Sequence, residues 1–313
     1  MKLSSRTKKL LVLVFFAVIV LTATGCASIP RDANNNVIYI WNEPVEGFTV
    51  RTSFVEVFKE ENWFSAIFVY PLAWLINHLT PYIGVGGGIA VVTILVQGAL
   101  SAATINSQIA QQKMQMIQPE IKRIERKYEG RDDENSKTRM AAEQQQLFRK
   151  YDINPASMLL VTFIQLPVIM AIFYAVQRSY AVQTGTFLGM NLQTSPMQGL
   201  QEALAGNSAS WMYLVLFAFM AVCQVLSIKI PSILQKRREA EIAKKTHRRP
   251  PEKEENNMMQ YSMILMILVF GFSWPAAMSL YWSINSLVNV LKTIIVQKVI
   301  DSKDMTAKKG YGR

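Results

Sequence analysis

Long runs of apolar residues dominate the sequence and limit the folds that it can adopt. Five such runs occur in the 313-residue chain, at residues 10–22, 89–105, 157–177, 211–230 and 261–299. A membrane-spanning helix needs about 20 mainly apolar residues, because lipid offers no hydrogen-bond partner to an exposed backbone. The last run is long enough for two spans, and Pro275 divides it. The sequence therefore predicts an all-α polytopic membrane protein with a tight turn near Trp274 and Pro275.

The first run has the layout of a secretory signal peptide. Basic residues precede it, the apolar part is short, and small residues lead from it to Cys26. The stretch around Cys26 resembles a bacterial lipobox, although Ala23 stands where that pattern favours leucine. The resemblance implies that residues 1–25 are removed and that diacylglycerol is attached to the Cys26 sulfur. An uncleaved anchor helix is the alternative. The other cysteine, Cys223, lies in an apolar run, so no disulfide framework is predicted.

The distribution of Lys and Arg between the runs predicts the orientation in the membrane. Residues 106–156 contain ten and residues 229–257 contain nine, whereas residues 27–88 contain three and residues 178–209 contain one. The basic and the poorly charged segments alternate, which indicates five spans in the mature protein. Its N-terminus is expected outside and its C-terminus in the cytoplasm. The net charge of +11 then reflects this bias and attraction to anionic lipids, and no nucleic-acid partner is needed.

The extracytoplasmic segment 26–88 contains one candidate helix before the first mature span. Apolar and aromatic residues recur at helical spacing from Trp63 to Leu79, but Pro71 and two polar residues interrupt them. Such a pattern is typical of a helix lying on the membrane surface, here the outer face. A sixth span is the alternative. The glycine-rich sequence GVGGG, at 84–88, is expected to be a hinge into the first mature span.

The five-span core is predicted to cover residues 89–298 and to include two cytoplasmic segments. Segment 106–154 is expected to be a helical hairpin, because apolar residues step by three and four on both sides of the sequence GRDDENS. Segment 231–257 is densely charged and contains two consecutive prolines, so it is expected to be a flexible loop in part. Residues 299–313 form a short basic tail.

Polar side chains follow one face of the first mature span. Thr93, Gln97, Ser101 and Thr104 are spaced by four, four and three residues, which places them on one side of a helix. The last span carries a similar stripe, formed by Asn285, Asn289 and Lys292. Amides inside a membrane need partners or water. Two interpretations remain open: hydrogen bonds between neighbouring helices, or a shared cavity that water can enter.

Four stretches of the chain together carry a family resemblance: QKMQMIQPEIKRIERKY, FIQLPVIMAIFYAVQRS, TFLGMNL and SWPAAMSLYWSINSLVNVLK. In this order they resemble the YidC-type membrane protein insertases, in the five-span lipoprotein form of Gram-positive bacteria. The resemblance covers the chain from about Gly86 to Lys298. It implies a bundle around a groove that is open to cytoplasm and lipid, with a hairpin that recruits substrate. The implied clients are nascent single-span membrane proteins, with the Sec translocon and the ribosome as possible partners.

The same resemblance draws attention to Gln97. Counted back from Gln118–Pro119, it falls where these insertases usually carry an arginine that attracts the acidic tail of a client. Arg178, at the outer end of the second span, is no obvious replacement, and Lys292 lies toward the cytoplasmic end of the last span. We therefore expect a hydrated groove that depends less on client charge. Its expected lining is Gln97, Gln165, Asn285 and Asn289, with Thr93, Ser101, Thr104 and Trp282 as second-rank candidates.

Two other classes of function compete with an insertase. A small-solute transporter or channel would also use polar stripes, but the mature spans contain no Asp or Glu, and His78 and His247 lie outside them. A relay of ionisable groups is therefore disfavoured. The same absence argues against an intramembrane enzyme, a zinc site or a cofactor. A membrane assembly chaperone without insertion activity remains the third hypothesis.

Overall fold

The computed structural model describes residues 29–246 and 258–310 and is mostly helical within them. Two-residue strands β1 (Tyr39–Ile40) and β2 (Val50–Arg51) pair in parallel near the start. The α-helices follow in the order α1 (Phe54–Glu60), α2 (Tyr70–Lys127), α3 (Glu134–Lys150), α4 (Pro155–Arg178), α5 (Tyr180–Thr184), α6 (Pro196–Leu204), α7 (Trp211–Thr246), α8 (Met258–Ser273) and α9 (Ala276–Gly310). The predicted signal peptide, Cys26 and residues 247–257 of the second cytoplasmic segment lie outside the described residues, whereas residues 231–246 of that segment continue helix α7.

Four apolar helical stretches coincide with predicted spans. Ser65–Gln111 and Ser208–Leu234 are long and apolar enough to cross a membrane, and Ile164–Arg178 and Ile264–Ser273 are shorter apolar helices. These stretches agree with an α-helical membrane protein. The number of five spans and the choice between a surface helix and a sixth span stay predictions.

Two breaks in the helices fall where the sequence predicts them. Helix α8 ends at Ser273 and α9 begins at Ala276, which confirms the turn at Trp274 and Pro275. Helix α2 is broken at Gly84, whose φ of 72° and ψ of 169° are not helical. This backbone conformation is almost restricted to glycine, so the first residue of GVGGG provides the predicted hinge.

The described chain divides into two compact units. Unit 1 comprises the residues up to Val92 together with Gln165–Phe217 and Gly271–Tyr281. A short π-helix, Ser65–Val69, leads into α2, and its Val69 packs with Phe64 and with Ala175 of α4 in the apolar core of this unit. The unit therefore joins the N-terminal segment to the C-terminal half of α4.

Polar groups inside unit 1 are closely paired. Asn77 is buried; its Nδ2 donates to the Ile40 carbonyl at 2.6 Å, and its Oδ1 accepts from Ser179 Oγ at 2.6 Å and from the Ala181 amide at 3.0 Å. The polar residue that interrupts the predicted surface helix thus ties β1 to the end of α4. These three hydrogen bonds explain why a buried amide is tolerated in this apolar segment.

Unit 2 comprises Thr93–Ile164, Ala218–Phe270 and the chain from Trp282 onward. It contains the predicted cytoplasmic hairpin, formed by the end of α2 and by α3. Ile117 and Ile121 of α2 pack against Leu147 of α3 and against Ile153, which confirms the predicted seam. The turn ends at Asp133, whose carboxylate caps α3 by accepting from the Ser136 amide at 2.8 Å.

Candidate functional site

A polar cluster in unit 2 is centred on Gln97 of α2. The side chain is only 1% exposed, and its Oε1 accepts a hydrogen bond from Lys292 Nζ of α9 at 3.0 Å. Its Nε2 is buried and has no hydrogen-bond partner among the described residues. Because an ammonium group can only donate, the oxygen of the amide must face Lys292 and the NH₂ group must point elsewhere. Gln97 therefore keeps a free donor inside a predicted span.

Lys292 joins the two polar stripes that the sequence predicts separately. Its Nζ also donates to Oδ1 of Asn289, three residues earlier on α9, at 3.3 Å. The lysine side chain is half-buried, whereas Asn289 is exposed. Helical spacing predicts that Lys292 lies on the polar stripe of α9, but it does not indicate that its ammonium reaches the Gln97 position. In the folded protein α9 packs beside α2, and this packing places the Lys292 ammonium against Gln97.

A second buried amide, Gln224 of α7, is paired in an ordinary way. Ser286 of α9 donates its hydroxyl to Gln224 Oε1, and both side chains are buried. This contact is an interhelical hydrogen bond, which agrees with the first of the two interpretations of the polar stripes for this pair. Gln224 lies in the apolar run 211–230, and nothing in the sequence indicates that Ser286 is its partner.

Asn285 contributes a second unpaired group. Its Oδ1 is buried and, within the described part of the chain, accepts no hydrogen bond. A buried polar atom without a partner costs about 1–3 kcal/mol. Asn285 and Gln97 therefore differ from Gln224, because each keeps one unsatisfied amide atom.

The remaining predicted residues have various surroundings. The hydroxyl of Ser101 donates to the Gln97 carbonyl, and that of Thr104 donates to the Leu100 carbonyl at 2.6 Å, so both are satisfied within α2. Thr93 and Trp282 are buried. Gln165 is half-buried on α4 and belongs to unit 1, so its place in the lining stays a prediction from the sequence.

The described residues contain no group of three or more His, Cys, Asp or Glu side chains that could hold a metal ion. The chemistry available in the cluster is thus hydrogen bonding and one positive charge. Cys223, next to Gln224 in the sequence, is a buried free thiol.

Comparison with known proteins shows the family of the chain. Residues 75–303 match the model of a family described as 60Kd inner membrane protein, which is more than half of the chain. The chain belongs to the YidC family. It is 26% identical over 294 residues to the membrane protein insertase YidC of Oceanobacillus iheyensis. This alignment covers 93% of the chain and 97% of that protein.

Two further YidC relatives are similar over most of their length. Identity is 28% over 243 residues to membrane protein insertase YidC 2 of Listeria innocua, covering 77% of this chain and 74% of the relative. The chain is also 31% identical over 229 residues to membrane protein insertase YidC 1 of Streptococcus pyogenes serotype M3, and this alignment covers 73% of the chain and 72% of the relative. The YidC resemblance found in the sequence is therefore confirmed, and the chain is a bacterial membrane protein.

Proposed function

We propose that this YidC-family chain is a membrane protein insertase, which helps nascent proteins enter the cytoplasmic membrane through a hydrated groove. The names of its relatives support the insertase activity. The groove is the finer part of the proposal. Its lining includes Gln97, Asn285 and Asn289 from the polar cluster of unit 2.

One observation carries the proposal: two buried amide atoms in predicted spans, Gln97 Nε2 and Asn285 Oδ1, have no partner among the described residues. A membrane helix rarely keeps such groups, because lipid cannot satisfy them. Water, or the backbone of a passing client, would supply the missing hydrogen bonds. Gln224 shows the contrasting case, because its oxygen is already occupied by Ser286.

The proposed mechanism makes and breaks no covalent bond. Moving a polar segment across intact bilayer costs several kcal/mol for each unsatisfied backbone group. A hydrated groove lowers this barrier, because amide side chains and water replace the lost hydrogen bonds along part of the path. The apolar span of the client then partitions into lipid, which supplies the net driving force.

The proposed partners, lipid anchor and orientation of the protein are taken from its sequence. The packed hairpin of α2 and α3 is proposed to recruit clients on the cytoplasmic side, and the Sec translocon, the ribosome and anionic lipids are its proposed partners. Acylation of Cys26 would anchor an outer N-terminus. The orientation with a cytoplasmic C-terminus is supported by the ten basic residues in segment 106–156 against one in segment 178–209.

Reconstitution into sealed liposomes tests the proposal. Protease protection measures how much of a small single-span client is inserted, compared with protein-free liposomes. We expect clear protection with the wild-type protein and a marked loss for Gln97→Leu and Asn285→Leu, because each removes an amide that the client needs. Gln108→Leu is the matched control, since Gln108 lies on the same helix but its Nε2 is already bonded to Thr104 at 2.9 Å.

Two results would contradict the proposal. Unchanged insertion in both leucine variants would exclude the groove as described. Protection no better than in protein-free liposomes, with wild-type protein shown to be folded and correctly oriented, would instead favour an assembly chaperone without insertion activity. A solute flux through the same liposomes would favour a transporter or channel.

A further inference from the structure

We propose that an outer apolar patch, formed by Trp63, Ile67 and Phe68, is the seat of the acyl chains that this protein carries on its own Cys26. The lipid then does more than tether the N-terminus to the membrane, because it covers a fixed surface of unit 1. This inference rests on the acylation of Cys26, which is part of the proposed function. It does not depend on the insertase activity.

The outer apolar patch lies where the π-helix leads into α2. Trp63, Ile67 and Phe68 are 36%, 48% and 44% exposed. The hydrogen bonds of a π-helix join residues five apart, and the rings of Trp63 and Phe68, which have this spacing, lie 6.2 Å from each other. Ile67 follows Trp63 by about one turn. The three large apolar side chains therefore share one exposed face.

The absence of charge makes the patch suitable for hydrocarbon. Residues 63–79 contain no Asp, Glu, Lys or Arg. Helix α1 also exposes an aromatic side chain, Phe58, but two carboxylates of that helix, Glu56 and Glu60, pair with Arg51. An acyl chain is driven out of water and gains nothing from contact with charged groups. The outer apolar patch is therefore a better seat for it than α1.

The chain that leads from Cys26 to the described structure is short. Ile29 packs against the apolar core cluster that contains Phe64, and the Pro30 carbonyl accepts a hydrogen bond from the Ile38 amide at 3.0 Å. Cys26 precedes Ile29 by three residues, and three residues span at most about 11 Å. Chain length alone therefore keeps a lipid on Cys26 close to this core cluster.

The same core cluster continues into the outer apolar patch. Phe64 is 1% exposed, and its ring lies 5.4 Å from that of Phe68 and 6.0 Å from that of Trp63. Phospholipids of the outer leaflet compete for this surface. A group on a tether of about 11 Å has the higher effective concentration, so the lipid of the chain itself is the favoured occupant.

Photo-cross-linking of protein purified from bacterial membranes tests the seat. Phe68→p-benzoylphenylalanine places a photoreactive group in the patch. Val215→p-benzoylphenylalanine is the control, because Val215 is 59% exposed on α7 in the same unit. Trypsin releases residues 26–31 as one peptide, since Arg31 is the first basic residue after Cys26. Mass spectrometry should find this lipid-bearing peptide joined to position 68, and only phospholipid joined to position 215.

A longer tether distinguishes the lipid of Cys26 from free lipid. Six Gly and Ser residues inserted between Ser28 and Ile29 keep the cysteine but triple the length of the tether. Effective concentration falls as about the −3/2 power of tether length, so the yield of the cross-link should fall roughly fivefold. The same six residues inserted after Gly206, which is exposed between α6 and α7, should leave the yield unchanged.

Each outcome has a defined meaning. A lipid-bearing peptide 26–31 that joins neither patch position, or joins positions 68 and 215 equally, would overturn the seat, and phospholipid would then cover the patch. Ile67→p-benzoylphenylalanine is the second patch position if the Phe68 variant does not fold. Unmodified Cys26 in the same digest would overturn the seat together with the lipid anchor. The insertase function is tested separately, since its failure would appear in the liposome assay and not in the cross-link.

Discussion

Arg178 and Glu61 form a buried, two-contact ion pair in unit 1. Arg178 Nη1 lies 2.7 Å from Glu61 Oε2, and Nη2 lies 2.6 Å from Oε1. The Arg178 side chain is 0% exposed and that of Glu61 is 4% exposed. Arg178 Nε also donates to the Ile38 carbonyl at 2.9 Å. The last residue of α4 therefore holds the N-terminal segment 29–62 in place.

Breaking this pair from one side should be costly. Arg178→Met leaves the buried Glu61 carboxylate with only its longer contact to Arg51 Nε, at 3.7 Å. We expect a loss toward the lower end of about 3–5 kcal/mol in unfolding free energy. The double variant with Glu61→Leu should recover much of that loss, because no unpaired charge remains. Urea unfolding in detergent measures both. Glu46→Gln, at an exposed glutamate, is the control, and a double variant as unstable as the single one would contradict this account.

Gly84 should resist substitution although there is space for a side chain. A Cβ at Gly84 would meet no atom within 4 Å, but the φ of 72° is unfavourable for any other residue. We expect Gly84→Ala to destabilise the protein by about 1–3 kcal/mol. Gly98 is a matched control, because it also has open space but lies in regular helix. Gly98→Ala should be neutral or stabilising by up to about 1 kcal/mol. Equal thermal stability of the two variants would refute this prediction.

Tyr151 should make the stability of the hairpin of α2 and α3 depend on alkaline pH. Its hydroxyl donates to Glu120 Oε1 at 2.6 Å, and this bond, with some burial, raises the Tyr151 pKa from 10.0 to about 12. A raised pKa in the folded state means that the contribution is complete below pH 10 and disappears as the pH rises through 12.

The variant Tyr151→Phe isolates this contribution. At pH 8 its melting temperature should be lower than that of the wild type by about 2 °C, the size expected for a hydrogen bond worth less than ~1 kcal/mol. Above pH 12 the two curves should meet. Circular dichroism in detergent measures the difference, and Tyr82→Phe, at an exposed tyrosine, is the control. A difference that stays constant from pH 8 to pH 12 would argue against the Glu120 bond as its source.

The Gln224 and Ser286 contact should contribute to stability and not to client insertion. Each single variant removes the interhelical hydrogen bond. Gln224→Leu leaves the Ser286 hydroxyl without this acceptor, and Ser286→Ala leaves Gln224 Oε1 without this donor. A double-mutant cycle should give a coupling energy of about 0.6–2 kcal/mol. Unfolding in detergent measures it, with the liposome assay run in parallel. Zero coupling, or a loss of client insertion in variants that remain folded, would be incompatible with a purely structural role.

Much of the local structure could be predicted because it depends on neighbouring residues in the chain. Hydrophobic spacing predicted the hairpin seam of Ile117, Ile121 and Leu147, and the structure confirms it. Proline and glycine predicted the ends of helices, at Pro275 and Gly84, because their backbone restrictions act locally. The polar stripe of α2 also follows from helical periodicity alone.

The partners of buried polar groups could not be predicted in the same way. Arg178 meets Glu61 across 117 residues, and Ser286 meets Gln224 across 62. Nothing in the spacing of either pair indicates that the residues touch. Many polar side chains in the sequence could have been the partner of Arg178 or of Gln224. The packing of the folded chain decides which one is.

The sequence by itself determined that this chain forms apolar helices with amides on their faces, and its motifs identified the YidC family. Only the tertiary structure decided that Lys292 lies against Gln97, at 3.0 Å and 195 residues apart. The reason is physical: periodicity states which face of a helix a residue occupies, but the packing of α2 and α9 decides which faces meet. A position that lacks a positive charge in the sequence therefore has one in the folded protein.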